Sequence, residues 1–440
     1  MSKHYPIARG IALASLALAL ILPAMTHAAS LPPATATPIQ HFVVLMEEDR
    51  SFDSYFSNYP GTEPIPRNTC VPMGQEAGNC LKPYSLHDHT LDHLSETQRK
   101  YSNLLTLGYY TDQEVPYFWN VAEQYVLFDH YFSSVKSSNG TISPNKMYAI
   151  AGTAVTSTKV TIGGYDHFTT IFDRLHAKGI PWKMYVQGYN AGVNFRSVKA
   201  GDKVPNQITK VPLLSFGRFI DNPTLKANIV DLDEYYNDLH NGTLPAVSYL
   251  VVNGATAATS GNLLVAQRHL KSVMQALMRS SVWDSSALLW THDQSGGWYD
   301  HVTPPTVNKS NLGLRVPAML ISPYARIGKV DSTVLEHSSI IKFIEYNWNL
   351  ESLGQHDKTA NSVVVGFDFN QKPRPSTYLS MTRSVVIDTE TVKPARIWIF
   401  VLYGIAWVIA ILIMATLLIG LPQRASLLST HIASPRQSIS

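Results

Sequence analysis

Cysteine and charge are both scarce in this chain of 440 residues: it holds two Cys, and Asp, Glu, Lys and Arg together make up only 15%. So few thiols exclude a disulfide-dense scaffold or a cysteine-built metal module. A charged share below the roughly 25% usual for soluble domains leaves the surface to Ser, Thr, Asn, Gln and Tyr, a composition that suits an acidic habitat. Internal repeats and low-complexity tracts are also lacking, which sets aside solenoids and disordered arrays. What remains is 45% hydrophobic residues, enough for a packed core in one large domain or two ordinary ones.

An excess of charge of one sign is missing too. The formal charge is +3, but Lys3, Arg9, Arg424 and Arg436 lie in the two ends, so the body carries 31 basic against 32 acidic residues. A near-neutral body offers no overall electrostatic footprint for nucleic acid.

The ends are distinctive. Lys3 and Arg9, the apolar run Ile11 to Leu22, Pro23 and the small-residue exit Thr26-His27-Ala28-Ala29 read as a secretory signal over residues 1–28, cut after Ala28; an uncleaved anchor is the alternative. Residues 397–421 carry no charge and hold Trp398, Tyr403 and Trp407, so a C-terminal transmembrane helix is expected there. A polar linker over 375–396 and a cytoplasmic tail over 422–440 complete the plan. The chain is thus expected to be exported to the cell membrane as a single-pass protein, with its body on the extracytoplasmic side. Cys70 and Cys80, in a Pro/Gly/Asn-rich exported stretch, are expected to form a disulfide.

Between the ends, apolar runs at Phe42–Met46, Trp182–Val186, Val247–Val252, Ala287–Thr291 and Ala318–Ser322 read as buried strands. They alternate with helical patterns at Tyr117–Phe128, Thr170–Lys178, Leu232–Leu239, Asn262–Arg279 and Ser338–Trp348. That alternation predicts an α/β layered domain with a mostly parallel sheet. Asn190 to Asn228, rich in Gly, Asn and Lys without period, reads as a lid or an insertion near a site.

Chemistry gathers at three places. Glu47-Glu48-Asp49-Arg50 follows the first strand at the edge where α/β sheets bind ligands, and adjacent acids there favour a cation. Asp293-Gln294 follows the strand Ala287–Thr291 and leads through Gly296-Gly297 to His301. Asp293 suits a hard metal, and His301 suits either coordination or proton transfer. The segment from Ser137 to Asn145 offers hydroxyls before a helix-like stretch, where one could attack phosphorus.

Taken together, VVLMEEDRSFDSYF at 43–56, Leu91-Asp92-His93, YFSS with NGTISPNKMY over 131–148, THDQSGGWYDHVTPP at 291–305, and RVPAMLISPYA with LEHSSIIKFIE over 315–345 resemble the bacterial phosphoesterase family of phospholipases C and acid phosphatases. The resemblance covers a catalytic domain at about 38–374. It implies an alkaline-phosphatase-like three-layer α/β/α sandwich, a divalent metal ion of unspecified identity, and a hydroxyl nucleophile that takes the phosphoryl group.

On the family's first motif, Glu48 falls on its metal-binding Glu and Asp49 replaces its Asn. Asp293 keeps the first acid of its acidic pair, and Gln294 replaces the second. The implied metal set is therefore Glu48, Asp49, Asp293 and Gln294, with one acid added and one lost. Where the family reads Gly-Pro-Ser/Thr-x-Pro-Asn, this chain reads Gly140-Thr141-Ile142-Ser143-Pro144-Asn145. Thr141 is the expected nucleophile and Ser143 the alternative. His93, His301 and His337 fall on histidines that would hold phosphate oxygens or protonate the leaving alkoxide. The resemblance thus implies a phospholipase C acting on phosphate esters or phospholipids. An acid phosphatase on soluble monoesters and a non-catalytic surface binding protein are the other readings.

Overall fold

The computed structural model describes residues 33–72, 80–86, 104–136, 143–153, 165–199, 201–252, 260–307, 310–383 and 403–415. The expected signal peptide at 1–28, His93, Thr141 and the tail at 422–440 lie outside the described residues.

Eight strands form one sheet: β1 (His41–Glu47), β2 (Val126–Phe128), β3 (Trp182–Val186), β4 (Ile229–Asp231), β5 (Val247–Val251), β6 (Ser286–His292), β7 (Ala318–Ile321) and β8 (Lys329–Asp331). Their order across the sheet is β8-β2-β7-β6-β1-β5-β3-β4. Only β7 runs against its neighbours; β1 pairs parallel with both β6 and β5. Every residue of β6 is buried, so both faces of the sheet are covered there. The helices doing this fall into two packed groups. One holds α3 (Pro144–Ala151), α4 (Ile171–Ala177) and α7 (Ser338–Asn347), and the other α2 (Pro116–Gln124), α5 (Asp233–Asn241) and α6 (Ser260–Arg279). The expected α/β class with a mostly parallel sheet therefore stands.

Two helix expectations change. The pattern at Tyr117–Phe128 splits: α2 ends at Gln124, and Val126-Leu127-Phe128 becomes β2, parallel to β8 and antiparallel to β7. A three-residue apolar run that is buried throughout satisfies either period, and tertiary pairing decides. The transmembrane helix expected at 397–421 is not supported. Among the described residues no helix is long and apolar enough to cross a membrane. The described part of that segment, residues 403–415, is helical. Anchoring to a membrane through that segment loses its support with it.

The compact units divide after Arg383, and the start of the expected linker belongs to the first unit. Asn120 donates to the carbonyls of Ser380 and Thr382, while Arg383 pairs with Asp112 and Glu123. Cys70 and Cys80 are bridged, with their Cα atoms 5.4 Å apart.

Candidate active site

The parallel register of β1 and β6 sets Glu47 beside His292, so the two chains leave the sheet side by side at its carboxyl edge. Asp293 N–H donates to the Glu47 carbonyl at 3.0 Å, and Arg50 N–H donates to the Gln294 carbonyl at 3.0 Å. Strand pairing thus continues into the loops and holds Glu48, Asp49, Asp293 and Gln294 against one another. The structure brings these four expected ligands to one sheet edge, but among the described residues only Asp53, Asp300 and His301 set three ligand atoms within 4.8 Å of one another.

Two lysines enter the same cluster. Lys146 Nζ lies 2.5 Å from Glu48 Oε1 and 3.6 Å from Asp293 Oδ2, and Lys210 Nζ lies 3.0 Å from Glu48 Oε2. Lys146 is placed by α3, which starts on Pro144 and ends at the left-handed Gly152. Lys210 comes from the segment Asn190–Asn228, which therefore does reach the site. Burial would raise the Glu48 carboxyl, but the two ammonium groups outweigh it and hold it below the usual range. For Asp293, burial wins over Lys146 and, helped by repulsion from Glu48 and Asp49, pushes the carboxyl up to about 6. Burial also works against the Lys146 ammonium, but Asp293, Glu48 and Asp49 overcome it, so its pKa lies above the ordinary value.

The two departures from the family pattern touch. Gln294 Nε2 donates to Asp49 Oδ1 at 2.9 Å, so the amide that replaced an acid is bonded to the acid that replaced an amide. Asp49 has φ +64, a left-handed conformation in which Asn and Asp are the common non-glycine residues. Gly296, at φ +61, lies directly against it: a Cβ there would fall 2.4 Å from Asp49 Cβ and 2.6 Å from Asp49 Cα. Gly296→Ala is therefore expected to displace Asp49, lowering stability by about 1–3 kcal/mol and phosphate-ester turnover by up to about a hundredfold. Chemical denaturation and a turnover assay on the same preparation check this, and an unchanged kcat would show that Asp49 has room to move.

The histidines are placed differently. His337 is fully buried; its Nε2 lies 2.9 Å from the Asp293 carbonyl and its Nδ1 3.4 Å from the Tyr131 hydroxyl. Burial lowers its pKa to about 4. A neutral ring donating to the Asp293 carbonyl holds the ligand loop in place and leaves no nitrogen for a substrate. His301 belongs to a second cluster: its Nδ1 lies 3.0 and 2.8 Å from the two oxygens of Asp53. Asp53 and Asp300 share the buried Arg315 guanidinium at 2.9 and 2.8 Å. Asp53, Asp300 and His301 bring ligand atoms within 4.8 Å of one another, a grouping able to hold a cation, and Arg315 already supplies one.

Lys146, Lys210, Asp53, Asp300 and Arg315 were not singled out in the sequence as site residues. Lys146 directly follows the Pro144-Asn145 pair, and Asp53, Asp300 and Arg315 all lie inside the blocks that carry the family resemblance. Lys210 had no local signal, because its partner is 162 positions away in the chain.

Beside the oxygen cluster opens a cleft of about 960 Å³, lined among others by Asp49, Ser133, Lys136, Gln294, Pro304 and Leu312. Its wall is part polar and part apolar. An oxygen-only donor set of Glu48, Asp49, Asp293 and Gln294 fits a hard divalent ion, and the buried Asp293 Oδ1 has no hydrogen-bond partner. The residues present therefore fit the metal that the family implies in donor chemistry, although their carboxylates are not drawn around one point as those of the Asp53, Asp300 and His301 group are.

A mostly parallel α/β sheet with acidic oxygen donors at its carboxyl edge, beside an open cleft, is the arrangement in which open α/β proteins bind ligands. The chain belongs to the Phosphoesterase family, whose model matches residues 39–351. It is 24% identical to a non-hemolytic phospholipase C of Pseudomonas aeruginosa, in an alignment that takes in 71% of this chain and 54% of that protein. Its identity to phospholipase C B of Mycobacterium tuberculosis is also 24%, over 78% of this chain and 80% of that protein. The chain spans about half the length of the Pseudomonas relatives it matches. Among solved structures it is similar to a protein in the alkaline phosphatase superfamily from Vibrio parahaemolyticus, with 13% identity, a TM-score of 0.39, and coverage of 72% of this chain and 68% of that one.

Proposed function

We propose that this chain is a metal-dependent hydrolase of phosphate esters, acting on phospholipid headgroups in the manner of a phospholipase C. The observation that carries the reading is the buried, unpartnered Asp293 Oδ1 at the carboxyl edge of β1 and β6, where Glu48 and Asp49 also lie. A divalent ion held there by these acids and the Gln294 carbonyl would neutralise phosphoryl charge and favour the ionised form of an attacking hydroxyl. Lys146 and Lys210 add two fixed positive charges beside Glu48, which offset part of the acidic charge that a phosphate would meet there. The apolar stretch of the cleft at Pro304, Leu312 and Leu314 suits the glycerol and acyl portion of a lipid ester.

Thr141 is proposed as the hydroxyl that attacks phosphorus, and His93 as the group that protonates the leaving oxygen, since His337 and His301 have their contacts elsewhere. A specific observation favours Ser143 as the second reading. It directly precedes α3, its Oγ is buried without a partner, and it makes no capping bond to its own helix. Thr141→Ala and Ser143→Ala, assayed on phosphatidylcholine vesicles and on a chromogenic phosphate monoester with and without chelator, separate these readings. The variant of the true nucleophile is expected to lose at least about a thousandfold in kcat, and chelator to abolish the wild-type activity. Turnover of the monoester alone would make the chain an acid phosphatase. No turnover of either ester by the folded wild-type protein would leave it a binding protein.

A further inference from the structure

α7 ends at Asn347, and Asn349, at φ +51, turns the chain back toward a short helix, α8 (Gln355–Thr359), that packs on α7. Two buried carboxyls meet in this return, Glu345 of α7 and Asp357 of α8. Leu353 N–H donates to both of them, at 3.1 Å to Glu345 Oε1 and 2.8 Å to Asp357 Oδ2. Two oxygens that accept the same N–H lie side by side. We propose that Glu345 and Asp357 share one proton and form a pH-sensitive latch, which holds residues 350–359 against α3 and α7 in acid and releases them in alkali.

Two ionised carboxylates in one buried site repel each other, and a single shared proton replaces the repulsion with a hydrogen bond. A cation is the other remedy, and this chain uses it elsewhere: Asp53, at the start of α1 (Asp53–Phe56), and Asp300 share the Arg315 guanidinium. No Lys, Arg or His among the described residues is bonded to Glu345 or Asp357. Their remaining partners are neutral donors, the Ser352 hydroxyl at 3.3 Å on Glu345 and Gly354 N–H at 2.9 Å on Asp357. Burial and the adjoining Asp357 push the Glu345 carboxyl up to about 8, against the Leu353 and Ser352 donors.

The latch bears on the helices that back the active site. Asp357 Oδ1 lies against Gly152, the left-handed end of α3, where an added Cβ would fall 2.9 Å from it. Lys146 stands on that same helix. The His356 ring packs on Tyr148 of α3, with centroids 4.9 Å apart, and its Nε2 lies 3.4 Å from Glu336 Oε1. Buried Glu336 accepts from the Ser134 hydroxyl and from Ser338 N–H, and it directly precedes His337, the ring that holds the Asp293 loop. Release of residues 350–359 therefore frees the carboxyl end of α3 and the start of α7 together.

Both contacts respond to pH in the same sense. The raised Glu345 carboxyl favours the fold fully below the ordinary value of 4.5, and that contribution is lost as pH rises through about 8. The bond to Glu336 raises the His356 imidazole above 6.5 against burial, so its contribution is full below 6.5 and is lost as pH climbs through the raised value. The other charged groups around the segment grip its edges. Lys342 of α7 donates to the Lys358 carbonyl at 2.8 Å, Lys178 to the Asn349 carbonyl at 2.5 Å, and Arg174 of α4 lies 3.5 Å from Glu351. From α3 the Tyr148 hydroxyl, raised by burial and by Glu336, belongs to the ring that faces His356. None of these groups is bonded to Glu345 or Asp357.

The test is amide hydrogen exchange of the full-length protein at pH 5, 7 and 9, corrected for the intrinsic rate and read on peptides covering 350–359 against those of β1 and β6. In the wild type the protection of that segment is expected to fall about tenfold or more between pH 5 and pH 9 relative to the two strands. Glu345→Gln, whose amide donates to Asp357 as the shared proton does, is expected to keep its protection at pH 9. Asp357→Asn makes the same bond from the other side and serves where the first variant does not fold. His356→Gln is expected to retain the fall. Wild-type protection that is equal at all three pH values overturns the proposal without recourse to any variant. So does a fall that persists undiminished in Glu345→Gln or Asp357→Asn, or one that His356→Gln alone removes.

Discussion

Asp293→Asn is expected to lower phosphate-ester turnover by about a hundred- to a thousandfold while making the metal-free protein more stable above pH 6. The two effects have one cause. Asp293 is buried, with Oδ1 unpartnered and Oδ2 3.6 Å from Lys146, so its charge is poorly compensated and its carboxyl sits at about 6 instead of the ordinary 3.8. A folded-state pKa raised above the unfolded one means that the carboxyl favours the fold fully below pH 3.8, and that this contribution is lost as pH rises through about 6. The interval corresponds to about 3 kcal/mol, an upper bound for the gain on substitution because Lys146 loses one of its carboxylate neighbours. The gain from Asn should therefore be absent in strong acid and develop between pH 4 and 6. Urea denaturation of chelator-treated wild type and variant at pH 4 and pH 8, beside a turnover assay, measures both. A variant less stable than wild type at pH 8, or one with undiminished turnover, would show that the charge on Asp293 is not what the site is built around.

That trade was half legible in the sequence. The strands Phe42–Met46 and Ala287–Thr291 were readable because a short, continuous apolar run that ends in acids fits a buried strand and little else, and the acids at 48, 49 and 293 followed from their position just past those strands. Whether they met was not readable, since it depends on the parallel register that sets Glu47 beside His292. The same limit applies to the histidines. His301 and His337 sit in family motifs, but motif membership does not say which atoms a ring faces. Only the fold shows His337 bonded to the Asp293 carbonyl and His301 turned toward Asp53 and Glu63. Short strands such as Val126–Phe128 and Lys329–Asp331 went unread because three residues carry no period; they exist because each finds a partner far along the chain.

The nucleophile exposes a subtler limit. Gly-Pro-Ser/Thr-x-Pro-Asn has the same length as residues 140–145, and laid on them without a gap it puts Ile142 where the family has its hydroxyl. Thr141 and Ser143 flank that position one residue to either side. A hydroxyl moved by one residue before a helix start approaches from a different direction, so the two alanine variants test geometry as well as identity. The buried, unpartnered Oγ of Ser143 gives the second of them an independent motive.

Arg315→Met is expected to destabilise the protein by about 3–5 kcal/mol at neutral pH, the largest stability effect among these substitutions. Arg315 is fully buried over the ring of Phe52, bonded to Asp53, Asp300 and the Asp129 carbonyl. Removing it keeps most of the packed volume but leaves two buried carboxylates facing each other without a cation. Burial and the neighbouring Asp53 already raise the Asp300 carboxyl above the ordinary value with the guanidinium in place. Without Arg315 the Asp300 carboxyl would be pushed higher still, so the penalty is greatest where it must ionise and shrinks as pH falls. The double variant Arg315→Met with Asp300→Asn should recover a large part of the loss, because one charge of the repelling pair is gone and Asp53 keeps the His301 ring and its backbone N–H as partners. A double-variant cycle read by denaturant unfolding at pH 5 and pH 8 isolates this coupling. If Arg315→Met costs the same at both pH values and Asp300→Asn gives no recovery, the guanidinium acts through its packing on Phe52 and not through its charge.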